Sequence, residues 1–74
     1  MIVYTPLYET MRKRGISTYR LITYYGLSRA LINRLKHNQA ITTVTLNDLC
    51  RILDCRPEDI LAYVPDRDDT GEDN

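Results

Sequence analysis

The chain has 74 residues, with ten basic side chains balanced by ten acidic ones, a single histidine and two cysteines. That length predicts one domain, and one this small buries only roughly 60% of the surface its unfolded chain exposes. No apolar run approaches the roughly 20 residues a membrane helix needs. The start M-I-V-Y-T-P-L has neither the positive n-region nor the long apolar h-region of a secretory signal, so we expect a cytoplasmic protein with no membrane partner.

The zero net charge conceals an asymmetry. Residues 1–40 carry Arg12, Lys13, Arg14, Arg20, Arg29, Arg34 and Lys36 against Glu9 alone, a net +6. Residues 41–74 carry Arg51, Arg56 and Arg67 against nine acids, a net −6. Such a division predicts a basic face that meets an anion and an acidic part that does not.

In chain order, Thr5 and Pro6 predict an N-cap and the first position of a helix over about 6–14. Leu7, Tyr8 and Met11 form its apolar face. Arg12, Lys13 and Arg14 fall in its last turn, where cations suit the helix dipole; contact with phosphate is the second reading for them. Gly15 stops the helix. Ser17 predicts the cap of a second helix, about 18–25, with Leu21, Ile22 and Tyr25 inward. Gly26-Leu27-Ser28 then combines a residue free to take positive φ, an apolar residue and a hydroxyl cap, which is the turn chemistry of a helix-turn-helix unit. In the third helix, about 29–37, Leu31, Ile32 and Leu35 make the buried stripe and turn Arg29, Ala30, Asn33 and Arg34 outward together.

Residues 38–44 have no helical period and read as a loop. Thr45 predicts the cap of a fourth helix, with Asp48 three residues on in a box-like arrangement. Leu46, Leu49, Cys50 and Leu53 give that helix its stripe. Asp54 and Cys55 turn the chain, and Pro57, Glu58 and Asp59 open a fifth short helix. Ile60, Leu61 and Val64 are expected to close the core before Pro65 ends that helix. The remainder, D-R-D-D-T-G-E-D-N, has no apolar residue and is predicted to be a disordered acidic tail. The expectation is therefore an all-α fold of five short helices with no sheet, divided into a domain over 1–65 and a tail over 66–74.

Little else in the chain carries chemistry. One histidine and two cysteines cannot assemble a four-ligand zinc site. Cys50 and Cys55 read as two small buried hydrophobes, with a disulfide as the sharper alternative. There is no nucleophile–histidine–acid set, glycine-rich phosphate loop or ligand cluster, so we expect no catalytic residue, metal, cofactor or small-molecule ligand.

The same residues resemble a known family. Gly15, Leu21-Ile22, Gly26-Leu27-Ser28, Ile32 with Leu35, and above all L-N-D-L-C-R-I-L-D-C-R-P-E-D-I-L over residues 46–61 are similar to the Cro/CI-type (Xre-like) helix-turn-helix domain. The likeness covers about residues 6–65. It implies a compact five-helix bundle of the lambda-repressor-like type, with the helix-turn-helix formed by helices 2 and 3. Thr18 stands where many members have glutamine, Ile22 where alanine is usual, and Lys36 and Asn38 replace a common E-x-G. Asn38 can still take the left-handed conformation that glycine would.

Carried over by position, the resemblance implies a sequence-specific regulator of transcription, a repressor in preference to an activator, that binds double-stranded DNA as a homodimer. Arg29, Ala30, Asn33 and Arg34 would face base edges in the major groove. Ser17, Thr18, Ser28, Lys36, His37 and Asn38 would lie beside the phosphates. Tyr19, Tyr24 and Tyr25 read as core or subunit packing. The leftover apolar segments M-I-V-Y and Tyr63-Val64-Pro65 are the expected dimer interface. The tail reads first as an aid to solubility and second as a segment that folds back on the basic face. The alternative function is a protein-interaction module, such as an antitoxin or adaptor, on the same fold.

Overall fold

A computed structural model describes residues 1–65. Along the chain run β1 (Ile2–Val3), α1 (Thr5–Arg14), α2 (Thr18–Thr23), α3 (Arg29–Lys36), α4 (Thr43–Leu53), a single 3-10 turn (Pro57–Asp59) and β2 (Ala62–Tyr63). The described fold is all-α in character, with four α-helices where five were expected. The expected tail lies outside the described residues.

Three helices end by the same device. Gly15 (φ 68°), Asn38 (φ 55°) and Asp54 (φ 51°) each take the left-handed conformation just past a helix. The following N–H then folds back on a helical carbonyl: Ile16 N–H to Met11 O, 3.0 Å, Gln39 N–H to Arg34 O, 2.8 Å, and Cys55 N–H to Cys50 O, 3.0 Å. This satisfies carbonyls that a helix end leaves without partners. At the other ends, Ser17, Ser28 and Thr42 sit in extended conformation and accept from Arg20 N–H, Leu31 N–H and Thr45 N–H. Each such cap contributes about 1 kcal/mol.

Several expectations need correction here. Thr5 lies inside α1, which Tyr4 precedes without a side-chain cap. Thr42, not Thr45, caps α4; the helix starts earlier because a threonine hydroxyl at 42 finds the N–H of residue 45 at 3.1 Å. Past the 3-10 turn the chain does not continue as a helix. It straightens into β2, which pairs antiparallel with β1 in the register Ile2 to Tyr63 and Val3 to Ala62. The segments expected to form a dimer interface thus partner each other within one chain, and Val64 N–H also donates to Met1 O at 2.8 Å. Val64 is 46% exposed and does not close the core.

The core draws on every helix: Tyr4, Leu7, Met11, Leu21, Leu31, Ile32, Leu35, Leu49, Leu53 and Ile60 are buried. Tyr8, expected on the inner face of α1, is exposed, and Tyr4 fills the core instead. Each large apolar side chain so buried contributes about 1.5–3 kcal/mol. Thr10, the buried polar side chain, donates its hydroxyl to the Asp59 carbonyl at 2.7 Å and so pins α1 to the 3-10 turn. Arg14 crosses from α1 to the end of α4, where its Nε donates to Leu53 O and its Nη2 to Asp54 O, both at 2.8 Å. Cys50 and Cys55 are free thiols, half-buried against the core. Burial, with Cys50 next to it, pushes the Cys55 thiol up to about 11. Among the described residues no helix is long and apolar enough to cross a membrane.

Candidate nucleic-acid interface

The candidate surface begins with the turn between α2 and α3. Past Thr23 the chain makes one more loose coil, with Tyr25 N–H to Arg20 O at 3.3 Å and Leu27 N–H to Leu21 O at 3.0 Å. Gly26 supplies the positive φ of 76° that this reversal requires. Leu27 packs half-buried against the core, and Ser28 restarts the helix by accepting from Leu31 N–H at 3.0 Å. Leu31, Ile32 and Leu35 are buried. With those three inward, the helical period leaves the opposite side of α3 to solvent, and Arg29, Ala30, Asn33 and Arg34 are all exposed on it.

Two outward stripes run along α3. Arg29, Asn33 and Lys36 follow one another at helical spacing, and with Thr18 of α2 they line a hollow of about 210 Å³ together with Ile22 and Ile32. The start of α2 and the outer side of α3 are therefore joined in one concave surface. Ala30, Arg34 and His37 make the second stripe by the same periodicity. Among the described residues, no carboxylate pairs with Arg29, Arg34 or Lys36. The described carboxylates form their ion pairs elsewhere, Glu9 with Arg12, Asp48 with Arg51 and Glu58 with Arg56.

The remaining candidates divide by what already holds them. The hydroxyls of Ser17 and Ser28 accept from their own helices, which leaves the hydroxyl hydrogens available to a further acceptor. His37 is exposed, and its Nδ1–H donates to the Asn33 carbonyl at 2.9 Å, securing the last turn of α3. Asn38 turns inward: its Oδ1 accepts from Tyr4 N–H at 3.0 Å, while the Tyr4 hydroxyl donates to Gln39 O at 2.8 Å. The end of α3 is thus braced by the residue that follows β1. This brace gave no signal in the sequence, because the partners stand 34 residues apart.

Of the three tyrosines, Tyr25 packs against the core as expected. Tyr19 and Tyr24 are 73% and 70% exposed, so core packing does not hold for them. Tyr24 instead sets its ring edge-on to Tyr25 and carries the Arg20 guanidinium 5.0 Å above its own ring. A cation so placed over an aromatic face gains roughly 0.5–1 kcal/mol at an exposed site.

A capped helix, a glycine turn and a following helix whose cations meet no described carboxylate are features that a helix-turn-helix DNA-binding class combines. The family model of the Cro/C1-type HTH DNA-binding domain matches residues 7–66, and the chain belongs to that family. It is 38% identical over 63 residues to the uncharacterized HTH-type transcriptional regulator YozG of Bacillus subtilis (strain 168), a match that spans 82% of this chain and 74% of that protein. The fold is also that of the transcriptional regulator VanUg in its Form II crystal structure. The two agree with a TM-score of 0.79 over 88% of this chain and 87% of that one, at 23% identity.

Proposed function

We propose that this chain is a cytoplasmic, sequence-specific regulator of transcription that binds double-stranded DNA and represses. In this reading α2 and α3 form the helix-turn-helix, and α3 enters the major groove. The observation that carries it is the joint exposure of Arg29, Ala30, Asn33 and Arg34 on the side of α3 away from its buried leucines. Family membership and the regulator title of the Bacillus relative support the same conclusion.

The roles follow from side-chain chemistry. Arg29 and Arg34 present guanidinium forks suited to guanine O6 and N7, Asn33 an amide suited to adenine, and Ala30 a methyl that meets thymine. Each good bidentate contact is worth ~1–3 kcal/mol of discrimination. Ser17, Thr18 and Ser28 offer hydroxyls at helix starts, and Lys36 and His37 lie at the far end of α3, all placed for phosphates. Asn38 holds Tyr4 with its carbonyl oxygen, and its amide N–H groups are left to donate to a phosphate. A homodimer reads two half-sites about 34 Å apart, and the outer surface of the strand pair, where Ile2, Tyr63 and Val64 are exposed, is our proposed contact between copies.

Selection of bound duplexes from a random DNA pool, run beside the Arg29→Ala/Arg34→Ala double variant, tests this function. A two-fold symmetric motif that the variant fails to enrich is the expected result. A flat pool with a steep salt dependence reduces the protein to phosphate attraction. No binding even at low salt favours the protein-interaction reading, for which the exposed Tyr19 and Tyr24 supply a surface.

A further inference from the structure

We propose that Ile22 is a base-reading residue: together with Ile32 it floors the hollow between α2 and α3, and that floor seats the C5-methyl group of a thymine. The inference rests on reading the outer side of α3 as the DNA-contacting one.

Two helices build the hollow. Thr18 and Ile22 come from α2, one turn apart, and Arg29, Ile32, Asn33 and Lys36 come from α3. Rim and floor differ in chemistry. Arg29, Asn33 and Lys36 are exposed, and among the described residues no carboxylate lines the space they share. Ile32 is only 7% exposed. Ile22 is half-buried, packing on the core with one part of its side chain and lining the hollow with the rest. Alanine is usual at this position in the family the chain resembles. Isoleucine extends the side chain past Cβ and raises an apolar floor within an otherwise polar and cationic surface.

Such a floor selects what enters. In the major groove every base pair displays donors and acceptors, but the one apolar group on offer is the C5-methyl of thymine. A purine edge or the N4 amine of cytosine, laid on two isoleucines, gives up water without gaining a hydrogen bond, which is unfavourable. The thymine methyl gains by leaving water. The rim governs the approach. Arg29 and Lys36 attract the polyanion, and Asn33, between them on the same stripe, carries an amide suited to adenine. Floor and amide therefore converge on A·T pairs. Ala30, the other residue assigned to a thymine, stands on the second stripe and does not line this hollow.

The test replaces each thymine of the selected duplex in turn by deoxyuridine, which lacks only the C5-methyl group and pairs in the same way. Wild type should lose roughly 4-fold in affinity at one position of each half-site, the worth of one buried carbon. Ile22→Ala should bind the thymine duplex about as weakly as wild type binds the uracil one, and lose nothing further when that methyl is removed. Ile22→Val shortens the floor by one carbon and should keep a reduced uracil penalty, which supplies the same comparison where alanine unfolds the chain. An enriched motif without thymine, or a uracil scan of wild type with no penalty anywhere, overturns the methyl site and leaves the DNA reading standing. A penalty that persists undiminished in the Ile22 variants puts the methyl against another residue and overturns it as well. A random pool that yields no motif defeats the DNA reading itself, and the methyl site falls with it.

Discussion

Arg14 and Arg34 are both helical and both exposed, yet their surroundings separate them. Arg14 crosses between two helices and gives its N–H groups to the carbonyls of Leu53 and Asp54. Arg34 meets no described carboxylate and stands on the open face of α3. The α1–α4 end of the molecule neutralises its charges locally, through Arg14, the Glu9–Arg12 pair and the Asp48–Arg51 pair. The α3 face leaves its charges open. A count of basic residues along the chain weighs both regions equally, and the contrast shows why that count overstates the anion-binding surface. Of the seven basic residues in 1–40, Arg12, Arg14 and Arg20 are engaged inside the molecule.

The contrast can be broken experimentally. Arg34→Ala should weaken binding to a selected duplex by ~1–3 kcal/mol and leave the urea unfolding midpoint unchanged. Arg14→Ala should do the reverse, lowering unfolding free energy by about 1 kcal/mol through two lost carbonyl contacts at a solvated site. Its duplex affinity should stay within about twofold, as for a side chain that makes no DNA contact. An early-melting Arg34→Ala protein, or an Arg14→Ala protein that loses DNA, would collapse the two regions into one.

A second comparison sharpens the role of the α3 terminus. Asn38→Ala loses the acceptor for Tyr4 N–H and must hold a positive φ, for a cost of about 1–3 kcal/mol. Asn38→Gly loses only the acceptor, so urea titration should rank it between wild type and alanine. The smallest effect belongs to Arg12→Ala, under about 0.5 kcal/mol, because its partner Glu9 is solvated too. Thermal melts that show a larger loss would mean that the α1 charges are coupled to more than each other.

What the sequence disclosed follows the range of the forces involved. The stripe Leu31, Ile32 and Leu35, the caps Ser17 and Ser28, and the left-handed Gly15 and Asn38 depend on neighbours within a few residues, and each was readable. The α4 cap was misplaced because T-T-V-T offers three hydroxyls in four residues, and Asp48 made Thr45 look favoured. Thr42 wins through its bonds to the N–H and hydroxyl of Thr45. The strand pair escaped because two-residue strands have no period, and β1 and β2 meet across some 60 residues of chain. For the candidate site, the outward set on α3 was legible from periodicity. That Asn38 faces Tyr4, and that Thr18 shares a hollow with Arg29 and Asn33, depended on contacts between elements.

The brace from Tyr4 to Asn38 and Gln39 has a practical consequence for handling the protein. A mechanical load on residue 1 pulls first on β1, and the next joint along that line is the end of α3. An anchor fixed at the amino terminus, for a sensor chip or an optical trap, would therefore tug on the surface being assayed. Attachment through Glu58, exposed on the 3-10 turn, bears on neither strand and leaves that joint slack.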